Sequence, residues 1–354
     1  MPSELRFGVV GAGQISRAAC QEIHRHPEAR VAAVADPNPQ RLAELAASLG
    51  GARTFSDNEA LLADPDLDAV FIATPNAFHA PLALRALRAG KHVLVEKPFA
   101  TNALEAAVVV EQAKQAGKVL SVGMNQRFRP DSQRVRALVE AGELGRVYHA
   151  KAFWLRRAGI PKLGTWFSKK SLAGGGALYD IGVHLLDLAL FVMGKFDPVS
   201  VSGHTYSTFG PRGIGEGSWG MSEVSHDEFD VDDGATALLR FDDGATLSLD
   251  VSWAIHQKDP DRMNVLIHGS DAGAGCYPGE IYRFGAERGT YQTSTLAETP
   301  LAYPHANRFH NFIGAVRGHE ELCVSPEQAL AVQRILDAIY ESSRLGREVM
   351  LSQP

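Results

Sequence analysis

Along the first third of the chain, short apolar runs alternate with longer segments of helical period. Residues 5–10 form a brief apolar run, and a helical pattern through Ala18, Ala19 and Ile23 follows it. The alternation continues as strands at 30–35, 69–73, 92–95 and 118–123, with helices at 40–49, 78–89 and 102–116 between them. Continuous apolar strands separated by amphipathic helices predict a parallel sheet with helices on both faces, and in such sheets ligands gather at the carboxyl ends of the strands. Thr74, Asn76, Glu96, Lys97 and Asn125 stand at those ends.

The pattern changes after residue 130. A helix at 132–141 precedes an alternating strand at 146–155 and a polar loop at 156–170 that carries Trp166 and Phe167. Further strands fall at 199–205, 234–241, 245–253 and 263–269, with helices at 307–316 and 326–343. Strands in succession with few helices between them predict a mostly antiparallel sheet. The expected architecture is α/β: a doubly wound parallel sheet over residues 1–125, then an α+β domain with a large, mostly antiparallel sheet over 126–354. The glycine-rich stretch 210–225 reads as a mobile loop.

Two stretches carry candidate chemistry. In the first, Gly11-Ala12-Gly13-Gln14-Ile15-Ser16 lies between a strand and a helix. Gly11 permits the tight turn, Gly13 lets the backbone approach a pyrophosphate, and the helix that Gln14 and Ile15 open offers free N–H groups to it. Ser16 replaces the third glycine with another small residue. Asp36 ends the second strand about 20 residues after the turn, where an acid accepts ribose hydroxyls and repels a 2′-phosphate. NAD is therefore expected over NADP, with nearby Arg41 as the feature that accommodates NADP. Asp36 also reads as a helix N-cap within Asp36-Pro37-Asn38-Pro39.

In the second stretch, Gly174-Gly175-Gly176 precedes an apolar run ending at Leu190. The glycines read as a flexible approach with close backbone access, and the run as a helix. Asp180 and His184 stand one turn apart on one face, a proton-transfer pair if a ligand reaches them and a satisfied core histidine if none does. Asp187 lies near the same face, which raises a metal site as a further reading.

Lys and Arg total 35 against 41 Asp and Glu, a net charge of −6. That balance argues against nucleic acid or an anionic membrane as the main partner. Cys20, Cys276 and Cys323 give neither a disulfide framework nor a zinc spacing. The first residues lack a signal pattern, and no stretch approaches the ~20 apolar residues of a membrane helix. The expected setting is the cytoplasm.

Taken together, these motifs resemble the glucose–fructose oxidoreductase/inositol dehydrogenase (Gfo/Idh/MocA) family of NAD(P)-dependent oxidoreductases. The likeness rests on the glycine turn, Asp36, Thr74-Pro75-Asn76 with His79, Glu96-Lys97-Pro98, Asn125-Gln126-Arg127-Phe128, and Gly175-Gly176 followed by Asp180 and His184. It implies a Rossmann domain, with Lys97, Asp180 and His184 as catalytic or substrate-orienting residues. It implies cofactor contacts from Gly11, Gly13, Gln14, Ile15, Asp36, Arg41, Thr74, Asn76, His79, Glu96, Lys97 and Asn125, the nicotinamide side falling to Asn76, Glu96 and Asn125. It also implies that Asp187 binds no metal, and that an open sheet face makes a homodimer or homotetramer.

Arg127 and Trp166 are the first candidates for a substrate wall, with Lys151, Arg156 and Tyr179 behind them. The expected activity is hydride transfer between a secondary hydroxyl of a sugar, glycoside or cyclitol and nicotinamide. Two alternatives stay open: an NAD-using glycosidase or lyase acting by transient oxidation and elimination, and a non-catalytic sugar- or NAD-binding regulator. Retention of Lys97, Asp180 and His184 together argues against the regulator. His305, His310 and His319 read as structural.

Overall fold

The computed structural model describes residues 4–219, 229–304 and 307–351. The expectation for 210–225 therefore lies partly, and that for His305 wholly, outside the described residues. Two compact units are present: residues 1–124 with 307–333, and 125–306 with 334–354. Residues 307–333 thus cluster with the first unit, whereas the sequence pattern alone puts them in the second domain.

In chain order the first unit begins with β1 (Leu5–Val10), α1 (Gln14–His24), β2 (Ala29–Ala35), α2 (Pro39–Ser48), β3 (Arg53–Phe55) and α3 (Asn58–Leu62). It continues with β4 (Ala69–Ile72), α4 (His79–Arg88), β5 (His92–Val95), α5 (Ala103–Ala116) and β6 (Leu120–Val122). The strands pair in the order β3-β2-β1-β4-β5-β6, all parallel. The order reverses between β1 and β4, the switch point at which such sheets bind dinucleotides. Strand β3, with an exposed pattern and three residues, gave no apolar run to read.

The second unit carries α6 (Pro130–Glu140), β7 (Val147–Arg156), α7 (Lys170–Ala173), α8 (Val183–Met193) and β8 (Ser200–Tyr206). Strands β9 (Gly234–Arg240), β10 (Thr246–Ser252), β11 (Asp261–Gly269), β12 (Gly273–Cys276), β13 (Gly279–Phe284) and β14 (Tyr291–Thr295) follow. Helices α9 (Arg308–Arg317) and α10 (Pro326–Leu345) and strand β15 (Val349–Met350) complete the chain. Nine strands pair as β14-β13-β12-β11-β7-β10-β9-β8-β15. Only β7 and β10 run parallel; every other pair is antiparallel.

Helix α9 shows why residues 307–333 return to the first unit. Phe309, Phe312 and Ile313 are buried in the same core as Phe7, Val9 and Phe71. The Phe312 ring lies 6.0 Å from Phe7 and the Phe309 ring 5.1 Å from Phe71. Burying side chains of this size stabilises a fold by about 1.5–3 kcal/mol each. In the second unit the apolar run is spent in the same way. The stretch Lys170–Met193 is long and apolar enough to cross a membrane, yet 89% of its most apolar window is buried inside the fold.

Candidate active site

Strand β1 delivers Gly11 to the switch point. Its φ is +97°, and a Cβ there would stand 2.4 Å from the Ala73 carbonyl oxygen, so only glycine fits. Gly13 is different: a Cβ would meet nothing within 4 Å. It caps α1 without a side-chain hydrogen bond, and the first turn holds no acidic residue. The result is an open concavity of backbone N–H groups at a helix N-terminus, which suits a pyrophosphate. Ile15 is exposed beside it. Ser16 is buried and its hydroxyl donates to the Gly11 carbonyl at 2.5 Å. The small residue therefore ties the turn to the helix.

Asp36 follows β2 and reaches back to the same turn. Its Oδ2 accepts the Ala12 N–H at 2.7 Å and its Oδ1 accepts the Asn38 N–H at 2.8 Å. The N-cap of α2 is Asn38, which accepts from the N–H groups of Gln40 and Arg41. Asp36 is thus not the cap, and its carboxylate stands at the end of β2 beside the glycine turn. The Oγ1 of Thr74, at the end of β4, is buried with no partner among the described residues. The open glycine concavity, the Asp36 carboxylate and this orphan hydroxyl fit a bound dinucleotide.

His79 departs from the expectation of a cofactor contact. It is fully buried, with Nδ1 2.7 Å from the Pro98 carbonyl and Nε2 2.9 Å from the Thr74 carbonyl. Burial holds its pKa below the ordinary histidine value. The buried ring therefore packs between the Thr74 loop and the Lys97–Pro98 loop, whose peptide is cis, and when neutral donates to one of the two carbonyls. Glu96 is committed too. One carboxylate oxygen pairs with the Arg308 guanidinium and the other accepts the Lys97 N–H at 3.2 Å. Arg308 also donates to the Gly123 carbonyl at 3.2 Å. No local signal pointed to Arg308, because its partner is 212 positions away.

In the second unit, residues 178–182 form a π-helical turn that leads directly into α8. Inserted π turns recur at functional sites, and the apolar pattern alone did not disclose this one. Asp180 lies in the π turn and His184 in the first turn of α8. The preceding glycines give the close backbone access expected of them, but as a packed contact between two segments and not as a flexible approach. A Cβ on Gly176 would fall 1.7 Å from the Asp232 carbonyl oxygen, and one on Gly175 would fall 2.0 Å from the Tyr340 hydroxyl.

Asp232, buried, accepts the N–H groups of Gly176 at 2.7 Å and Leu178 at 2.9 Å. Those are orphan donors of the helix start. The Tyr340 hydroxyl donates to the same carboxylate. Burial and the neighbouring Asp232 push the Tyr340 pKa well above its usual value, so the phenol keeps its proton. Its neighbour Asp233 accepts from Thr208, Phe209 and Gly210 through one carboxylate oxygen. The Asp-Asp pair is a backbone clasp.

The side chains of the π turn are held as well. The Trp253 indole N–H donates to Asp180 Oδ2 at 2.9 Å. The Trp154 ring lies 6.2 Å from that of His184. Neither tryptophan stands out in the sequence, since each occupies an ordinary strand position. A buried tryptophan requires a partner for its N–H, which is the signal that could have raised Trp253.

Arg127 is corrected outright. It is 0% exposed and forms a bidentate pair with Asp187, at 2.8 and 2.5 Å. Phe191 and Phe196 lie 5.0 and 5.1 Å from its guanidinium. It is a core ion pair and cannot line a substrate wall, and Asp187 has both oxygens occupied. Tyr179 is buried with its hydroxyl on Asp337 at 3.0 Å. Lys151 alternates along β7 with buried Ala150 and Ala152, so it stands on the other face of the sheet. Trp166 remains half-buried and stacks on Phe167 at 3.8 Å, and Phe167 meets Trp219 at 5.0 Å. Arg156 lies over the Trp154 ring at 4.4 Å. Asn76 is buried and Asn125 exposed, each just beyond a strand end.

Comparison with known proteins identifies the family. Residues 5–124 match the model of the oxidoreductase family with an NAD-binding Rossmann fold, Gfo/Idh/MocA, and residues 132–274 match the model of a C-terminal domain of the same family. D-glucoside 3-dehydrogenase of Escherichia coli (strain K12) is 33% identical, over 99% of this chain and 98% of that protein. Levoglucosan dehydrogenase of Pseudarthrobacter phenanthrenivorans is 32% identical over 67% of this chain and 62% of that one. A solved levoglucosan dehydrogenase in complex with NADH and levoglucosan superposes with a TM-score of 0.86 at 26% identity, covering 99% of this chain and 100% of that chain. With both domain models matched and a full-length relative above 30% identity, the chain belongs to the Gfo/Idh/MocA family of NAD-binding oxidoreductases.

Proposed function

We propose that this chain oxidises a ring secondary hydroxyl of a glucoside or anhydrosugar with NAD, and reduces the corresponding ketone in reverse. The observation that carries the reading is the coexistence of the open Gly13 concavity with Asp180 and His184 held on a built helix start. Bound NAD supplies the hydride acceptor. Gly11, Gly13, Gln14 and Ile15 hold its pyrophosphate side, and Asp36 takes the ribose hydroxyls, favouring NAD over NADP in spite of Arg41. Thr74, Asn76, Lys97 and Asn125 serve the nicotinamide side, with His79 and Glu96 bracing those loops.

An alcohol releases hydride readily only as its proton departs. His184 accepts that proton, Asp180 orients the imidazole or a neighbouring hydroxyl, and the Lys97 ammonium stabilises the developing alkoxide. Trp166 offers an aromatic face to the sugar. The names of the relatives favour a glycoside, and C3 as the carbon oxidised. A homodimer or homotetramer and a cytoplasmic setting complete the reading; three free, buried cysteines suit a reducing compartment.

The test is a dihydronicotinamide absorbance screen with NAD or NADP against glucosides, anhydrosugars, aldoses and inositols. Absorbance growth with NAD and a glucoside or anhydrosugar is expected. Sugar cleavage without net NADH would indicate the glycosidase chemistry instead. Replacing His184 with Ala is expected to lower kcat by roughly 10²- to 10⁴-fold, and an unchanged rate would remove His184 from the proton-transfer role.

A further inference from the structure

We propose that Trp253 is a positioning residue for Asp180, and that the orientation of Asp180 during turnover depends on the Trp253 indole N–H. The inference rests on the dehydrogenase reading above and adds a residue to it. Trp253 immediately follows β10 and is 0% exposed. An indole N–H can only donate, and its acceptor here is Asp180 Oδ2 at 2.9 Å. A buried donor aimed at a carboxylate forms a charge-assisted bond and fixes the rotamer of that carboxylate.

The ring has little freedom to do otherwise. The Trp253 backbone N–H donates to the Asp233 carbonyl at 2.8 Å, and the adjacent Ser252 hydroxyl donates to the Ala254 carbonyl at 2.6 Å. Asp233 directly follows Asp232, whose carboxylate caps the helix start at Gly176 and Leu178. A Cβ on Gly182 would come 3.2 Å from Val251 Cγ2, so the π turn runs close against β10. One turn of chain thus grips the helix start by its backbone through Asp232 and anchors the tryptophan that grips it by a side chain. Any role of Asp180 toward His184 or a substrate hydroxyl is then set by a residue that itself need touch neither substrate nor cofactor.

The test is a double-mutant cycle of W253F and D180A, in which Ala removes the acceptor, with kcat and the KM for NAD measured and thermal midpoints recorded for each variant. Trp253→Phe keeps a buried aromatic ring and removes the donor. The expected result is a roughly 10-fold lower kcat for W253F, a KM for NAD within about twofold of the parent, and no further loss when W253F is added to D180A. A W253F enzyme with parental kcat, or an equal loss in both backgrounds, would overturn the proposal.

A second measurement is independent of turnover. The chain has four tryptophans, so the ¹⁵N-indole resonance missing from the W253F spectrum is Trp253, and D180A, which removes the acceptor, should shift it. An unmoved resonance would disprove the contact itself. Absence of dehydrogenase activity in the parent, with the resonance shifting as expected, would instead count against the proposed function.

Discussion

The clearest single-residue lesson lies at Arg127. By sequence it is a polar residue in a family-like motif near a strand end, and such a residue invites a ligand. Burial reverses that reading: a guanidinium with no exposure, paired through two bonds to an equally buried Asp187, belongs to the core. Removing one member of a buried pair leaves the other charged and uncompensated, at a cost of about 3–5 kcal/mol. Arg127→Met should therefore lower the unfolding free energy by that amount in urea titrations, and R127M/D187L should recover much of it. A loss under about 1 kcal/mol for R127M would mean that the pair is not closed to water. His79 teaches the same point, since its type and position were legible but its two carbonyl neighbours were not.

At the scale of elements, the regular strands and helices of the first unit were legible because each is either a continuous apolar run or an amphipathic period. Strand β5 and helix α5 fall within a residue of where the pattern put them. What escaped was non-local. Strand β12 is four residues long and half glycine, β14 is exposed throughout, and β13 alternates over only its first four residues. The π turn depends on a cap supplied by Asp232, 54 positions beyond Leu178.

Strand β5 also carries a pH dependence. Its first residue, His92, accepts the Val119 N–H at Nδ1, 3.0 Å away, and so must be neutral in the fold. Burial first, and Lys118 second, lower its pKa to about 4. The unfolded chain takes up that proton near pH ~6.5. The folded form therefore keeps its full advantage above about pH 6.5 and loses it progressively as the pH falls toward 4. Urea midpoints should drop across that window, and less steeply in His92→Asn, whose amide oxygen can still accept. Identical slopes in the two proteins would contradict the assignment.

At the scale of the molecule, the two-part architecture was readable because the hydrophobic period changes near residue 130. The membership of residues 307–333 was not: a helical period says which face of α9 is apolar, not which core receives Phe309 and Phe312. The glycine turn and Lys97 fall in one unit, and Asp180 and His184 in the other. The central claim is that hydride leaves a sugar carbon for the nicotinamide while protein groups take the proton. The most direct measurement is a turnover of a methyl glucoside deuterated at C3 with NAD, followed by mass analysis of both products. One deuterium in the dihydronicotinamide is expected for each 3-keto sugar formed. Deuterium released to water, or a keto sugar formed without labelled NADH, would contradict it.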